Sequence, residues 1–323
     1  MIWLTWRQFR TQALVAVVVL AVLAVWLLVL GMSIRGTVNG CAADHTCGGL
    51  AAQLDQSYGT QLELLGDLLL IAPGIMGMFW GAPLVARELE TGTHRLVWNQ
   101  SVTRGRWLTV KLGAVGLAAI AFAGLFSLLL TWAAGPFDQN EGNQFNALVF
   151  ASRDIVPIAY AAFAFALGTA LGLVLRKTVM AMAVTLALFA VIQVAMPNLV
   201  RPHLISPLTT TTQMNAAAFH DIDFLGRDAN IGGLKIPGSW VISTSDLLTR
   251  SGQRVDMNAY QNCLGADFDR TGQCLAKLDL HVVATYQPPD RYWPLQWLES
   301  LIFGVLAGLL VLLARWRIGR RVT

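Results

Sequence analysis

Six long apolar stretches constrain this chain more than any other feature of its sequence. A bilayer core about 30 Å thick is crossed by about 20 apolar residues in a helix, and each stretch is close to that length. In chain order they are Ala13–Met32, Leu64–Ala86, Leu108–Ala133, Ile155–Leu175, Thr178–Met196 and Leu298–Ala314. Only 13% of the 323 residues are charged, well below the share usual in soluble domains. We therefore predict an all-α membrane protein with six transmembrane helices, named spans one to six below.

The distribution of basic residues predicts the orientation of these spans. With the N-terminus inside, the inner segments hold 13 of the 23 Lys and Arg residues but only two of the 19 acids. Lys and Arg in short loops near span ends concentrate on the cytoplasmic side. We therefore expect a multi-pass protein of the bacterial plasma (inner) membrane with both termini in the cytoplasm. The formal net charge of +4 follows from this arrangement and does not indicate a nucleic-acid partner.

The polar stretches between the spans divide the chain further. Residues 1–12 are predicted to form a cytoplasmic interfacial helix, and residues 13–196 hold spans one to five with a cytoplasmic segment at 87–107. Residues 197–297 form a roughly 100-residue extracellular insertion between spans five and six, which is long enough for a small domain. Span six and a basic cytoplasmic tail occupy residues 298–323.

All four cysteines fall in segments predicted to lie outside, where the environment is oxidising and permits disulfides. Four cysteines allow three pairings, and the simplest joins near neighbours, Cys41 to Cys47 and Cys263 to Cys274. A zinc site that uses His45 is the alternative. Because the spacing matches no zinc ribbon, we predict disulfides and no metal.

The connection between spans two and three carries the most informative motif, RELETGTHRLVWNQSVTRGRWLTVKL, which begins at residue 87. Glu88 and Glu90 stand two residues apart where the neighbouring charges are basic. Gly92 predicts a break between a short helix and a second helix that enters the membrane. A solvated connector would also have this composition, because charges next to a membrane are common.

This segment resembles the intracellular coupling segment of ATP-binding-cassette exporter permeases of the type-2 class, in particular actinobacterial members. Those permeases show an acidic pair, a Gly-Thr, a Val-[Ser/Thr]-Arg turn and a lysine, here Lys111, before the third span. The resemblance implies that the segment binds a separate ATPase, with its acidic pair facing that subunit rather than a packed core. It assigns this coupling role to Arg87, Glu88, Glu90, Gly92, Thr93, Arg95 and Arg104.

The same resemblance implies the partners. Two copies of a cytoplasmic ATPase would carry ATP and Mg, a second permease copy would complete the pathway, and membrane lipid would surround it. This chain has no G-x-x-x-x-G-K-[ST] motif, so we expect it to be a transport subunit without enzyme activity or a cofactor. The substrate stays open among drugs, peptides and lipid-like molecules. The alternative is a membrane sensor or assembly protein whose extracellular domain binds a ligand.

Three acids and three glycine pairs complete the candidate residues. Intramembrane acids suggest function, so Glu63, Asp67 and Glu299 are candidates for a substrate path; interfacial solvation or pairing with Arg153 would also explain them. No catalytic set of side chains has recognisable spacing. G-x-x-x-G pairs allow helices to approach closely, and we expect them to pack within the subunit or against a second copy. These pairs are Gly77/Gly81, Gly168/Gly172 and Gly304/Gly308.

Overall fold

The computed structural model describes residues 2–44, 49–92, 103–141, 144–216, 218–265 and 268–320. About three quarters of the chain is helical, and six helices in the described residues are long and apolar enough to cross a membrane, as predicted. They extend beyond the apolar stretches, and from here the names spans one to six refer to them. Their bounds are Phe9–Cys41, Leu50–Glu90, Arg104–Asn140, Val156–Leu175, Thr178–Leu204 and Pro289–Gly319.

The first twelve residues do not form a helix of their own, contrary to the prediction. One helix runs from Ile2 to Asp44, because no proline interrupts its hydrogen-bond ladder in this range. Phe9 is buried in a cluster with Trp107 of span three and Ile318 of span six. Phe9 is therefore packed in the helix bundle, whereas Trp3 and Trp6 before it are exposed.

Span two is one continuous helix with two π-helical turns, Asp55–Gly59 and Gly77–Gly81. Such turns add a residue to one helical turn and often occur at functional sites. Pro83 lacks the N–H that would donate to the Phe79 carbonyl in a regular helix. That carbonyl instead accepts from the Gln12 side chain at 3.5 Å, which joins span one to the π-helical turn of span two.

Span four lies at the centre of the bundle and meets span two through glycines. A Cβ on Gly168 would overlap the Gly77 carbonyl, and one on Gly172 would overlap the Ala82 carbonyl. A Cβ added to Gly77 or to Gly81 would likewise overlap backbone atoms of span four. Two of the three G-x-x-x-G pairs therefore pack against each other within the subunit. At Gly304 and Gly308 of span six, an added Cβ meets nothing within 4 Å.

A second compact unit comprises Val200–Trp293 and Gly142–Phe145. It contains a three-stranded antiparallel sheet in the order β1-β5-β4, and a two-stranded sheet of β2 and β3. The strands are β1 Leu208–Gln213, β2 Phe224–Leu225, β3 Ile231–Gly232, β4 Trp240–Thr244 and β5 His281–Gln287. The prediction of an all-α chain is therefore wrong for this unit, although the membrane helices dominate the fold.

The second unit has its own apolar core, which includes Leu247, Leu280 and Val282. Cys263 and Cys274 form a disulfide between the helices Met257–Cys263 and Phe268–Ala276. Tyr260 is also buried in this core and donates to the Gly226 carbonyl at 2.7 Å; burial raises the pKa of its hydroxyl. In the first unit, Cys41 is disulfide-bonded, while Cys47 lies outside the described residues.

Candidate functional site at the basic end of the helix bundle

The candidate site lies at the end of the bundle where spans two, four and six finish and spans three and five begin. We call it the basic end, because Arg87, Arg104, Arg176 and Arg315 lie at or near these helix ends. The α-helix of span two ends at Glu90, and Gly92 follows with a φ of +73°. This left-handed conformation favours glycine and turns the chain away from the helix axis. The predicted residues Thr93 and Arg95 lie outside the described residues.

Glu88 forms an ion pair with Lys111 of span three, and both side chains are largely buried. The Lys111 ammonium also lies 3.5 Å from the Leu84 carbonyl and 4.9 Å from the centroid of the Trp107 ring. A buried ammonium loses its hydration, and the carboxylate, the carbonyl and the aromatic ring offset part of that loss. The pair therefore joins the end of span two to the beginning of span three.

Glu90 binds the beginning of span five. Its carboxylate accepts a hydrogen bond from the Thr178 amide at 3.0 Å and another from the Thr178 hydroxyl at 2.7 Å. Thr178 is the first helical residue of span five, where amide groups have no partner within the helix and negative charge is favourable. Glu90 thus acts as an N-terminal cap supplied by another helix, while remaining exposed itself.

These contacts correct the expectation that neither acid lies in a packed core; that the exposed Glu90 faces an ATPase stays a prediction. Each carboxylate is engaged by this chain, and Glu88 lies in the packed part of the bundle. We call the Glu88–Lys111 and Glu90–Thr178 contacts the two anchors, since they hold the end of span two to spans three and five. Lys111 belongs to the same motif but stands 23 residues from Glu88, and Thr178 lies 88 residues from Glu90, outside the motif. The motif therefore does not show either contact.

A cavity of about 470 Å³ lies beside the buried anchor. Arg87, whose side chain is exposed, is the basic group at its rim, and the π-helical turn supplies Phe79 and Trp80 to its wall. Trp80 packs edge-to-face on Phe9 at 5.2 Å between ring centroids. The cavity is lined by Phe9, Gln12, Phe79, Trp80, Pro83, Leu84, Arg87, Glu88, Thr91, Lys111 and Val115.

The three acids proposed for a substrate path have different surroundings. Glu299 is fully buried and accepts a hydrogen bond from the Tyr160 hydroxyl, so it joins spans four and six. Glu63 and Asp67 are exposed on span two. Arg153, the alternative partner for these acids, forms its ion pair with Asp138 at 3.0 Å instead.

Within the described ranges, no group of His, Cys, Asp and Glu side chains is arranged to hold a metal ion. The basic end offers charged side chains, a turn and a cavity as its functional features.

A comparison with known families places these features in context. The family model described as ABC-2 membrane transporter related matches residues 17–201, which cover spans two to four, most of spans one and five, and both anchors. No curated protein and no solved structure matches the chain. Because the match covers more than half of its length, the chain belongs to the ABC-2 membrane transporter related family.

Proposed function

We propose that this chain is the permease subunit of an exporter driven by a separate ATPase, which binds the connection between spans two and three. Family membership supports a transmembrane component of an ABC transporter. The observation that carries the finer proposal is the pair of anchors, because they attach one end of this connection to two further spans. A force applied to the connection would therefore reach spans two, three and five together.

The proposed mechanism uses the different strengths of the two anchors. The Glu88–Lys111 pair is buried, and breaking such a pair costs about 3–5 kcal/mol, so it would keep spans two and three moving as one body. The Glu90–Thr178 contact is exposed and weaker, so it could open when the ATPase moves the connection. The cavity beside the buried anchor leaves space for the aromatic side chains of span two to shift.

The remaining parts of the assembly belong to the same proposal. Two ATPase copies would carry ATP and Mg, and a second copy of this chain would complete the substrate pathway in the bacterial inner membrane. The termini and the basic end would be cytoplasmic, as the positions of Lys and Arg indicate. A ligand-binding sensor is the less favoured function, since the family match covers the membrane helices rather than the second unit.

Site-specific crosslinking tests this proposal. A photoreactive amino acid at position 95 of the full chain, expressed in its native host, should capture a protein with the G-x-x-x-x-G-K-[ST] motif. The same group at Arg227, an exposed residue of the second unit, is the control. Capture of the ATPase from position 95 alone supports the docking site. Equal capture from both positions, or capture of other proteins only, would contradict it.

A further inference from the structure

A second cavity of the first unit is an apolar groove between spans three, four and six. Its volume is about 390 Å³, and it is open on one side. We call it the lateral groove. It is lined by Thr109, Leu112, Gly113, Gly116, Leu117, Ile120, Ala162, Phe165, Ala166, Ala307, Gly308, Val311 and Arg315.

The groove exists because small residues from all three spans face it. An added Cβ on Gly113 or on Gly308 would meet nothing within 4 Å. Ala162, Ala166 and Ala307 contribute only methyl groups. Small residues normally bring helices together, but here they leave a space that a flexible apolar chain can fill.

The length of the groove matches one leaflet of a bilayer. Along span three it extends from Thr109 to Ile120, which is about 16 Å of α-helix. Half of the hydrocarbon core is about 15 Å thick. Since Thr109 lies near the basic end and Ile120 lies deeper in the bundle, the groove follows the direction of an acyl chain in the leaflet at that end.

The charge at the end of the groove indicates the headgroup. Arg315 is exposed at the basic end and forms no ion pair with the described residues. None of the described residues that line the groove is acidic. A guanidinium can donate two parallel hydrogen bonds to a phosphate. A headgroup whose phosphate charge is not offset by a cation of its own is therefore the matching partner for Arg315.

We infer that the lateral groove binds one anionic phospholipid of the leaflet at the basic end, with an acyl chain along span three and its phosphate on Arg315. Lipid in this place would fill the space between spans three, four and six while leaving them free to slide. The inference depends on the groove and its charge, and it does not require the proposed exporter function.

Native mass spectrometry with matched variants tests this inference. The delipidated full chain in detergent is titrated with dioleoyl phosphatidylglycerol and, separately, with dioleoyl phosphatidylcholine. Gly113→Leu fills the groove, whereas Gly304→Leu adds the same side chain to an open position of span six outside it. The new leucine in Gly113→Leu should displace at least two methylenes of the acyl chain from the groove, which should weaken phosphatidylglycerol binding about tenfold. The Gly304→Leu variant should bind the lipid like wild type.

The headgroup is tested by charge removal. Arg315→Gln should reduce the preference for phosphatidylglycerol over phosphatidylcholine about tenfold, and Arg317→Gln, a basic residue outside the groove lining, should reduce it much less. Equal binding by Gly113→Leu and Gly304→Leu would overturn the inference. A second result would also overturn it: a dimer of this chain that dissociates in the Gly113→Leu variant while lipid binding is unchanged. A second copy of the chain, and no lipid, would then cover the groove.

Discussion

The helix bundle has a closed side and an open side, and both are built with glycine. On the closed side, the glycines of spans two and four bring two backbones into contact, and Lys111 is buried with Glu88 nearby. On the open side, Gly113 and Gly308 face the lateral groove, and Arg315 is exposed. The same residue type therefore produces a tight contact in one place and an empty space in the other.

This difference shows that G-x-x-x-G spacing alone does not decide whether a helix packs closely against another. Close approach is favoured by small residues on both helices, and spans two and four supply glycines to each other at this contact. Gly304 and Gly308 have the same spacing as Gly77 and Gly81, but an added Cβ there meets no atom of the described chain within 4 Å. Substitutions on the two sides should therefore have effects that differ in size and even in sign.

The largest effect is expected for Gly168→Leu on the closed side. Its side chain would overlap the backbone of span two at Gly77, and backbone atoms cannot move aside as a flexible side chain can. The cost should exceed the roughly 1–3 kcal/mol typical of an overpacked core. Little folded protein should be recovered by size-exclusion chromatography in detergent. Gly304→Leu is the matched control and should elute like wild type; similar losses in both would remove the distinction between the two sides.

The next effect concerns the charge buried on the closed side. Glu88→Ala leaves the Lys111 ammonium buried without its carboxylate, which should cost about 3–5 kcal/mol. The fraction of protein that remains soluble after heating in detergent measures this loss. Replacing both residues with leucine removes both charges and should restore most of the stability. A single Glu88→Ala variant that is as stable as wild type would show that this pair is hydrated.

Sequence reasoning found features that are encoded locally. The six spans follow from runs of apolar residues, and the Gly92 turn follows from the conformation that glycine permits. The strands of the second unit were missed because they are short, and β1 reads Leu-Thr-Thr-Thr-Thr-Gln without a clear apolar face. Strand β5 does alternate, with Val282 and Ala284 buried, but two such residues are too few to separate it from a loop.

The anchors could not be read from the sequence because their partners come from other helices. Lys111 and Thr178 both lie near the start of a span, and the sequence does not show which side chain of another helix each one meets. The sequence shows two acids among basic residues and a family resemblance, which together predict contact with an ATPase but not contacts within the chain. Only packing shows that one carboxylate is buried and the other caps a helix.

A smaller effect is expected for the exposed anchor. Glu90→Ala removes a cap from span five, and loss of a capping side chain costs about 0.5–2 kcal/mol. A double-mutant cycle with Thr178→Val isolates the bond to the hydroxyl, since that variant keeps the amide. The double variant should be more stable than the sum of the two single losses predicts. Strict additivity would mean that the two side chains do not interact.

The smallest effect is expected on the open side, where it should have the opposite sign. Glycine lowers helix stability by about 1 kcal/mol relative to alanine, and an added Cβ on Gly304 meets no atom within 4 Å. In Gly304→Ala, the temperature at which half of the protein stays soluble after heating in detergent should therefore be unchanged or rise by a few degrees. Gly168→Ala, which creates an overlap with the Gly77 carbonyl, should lower it under the same conditions. If Gly304→Ala lowers this temperature as well, another molecule packs against this face of span six, and the side described as open is closed.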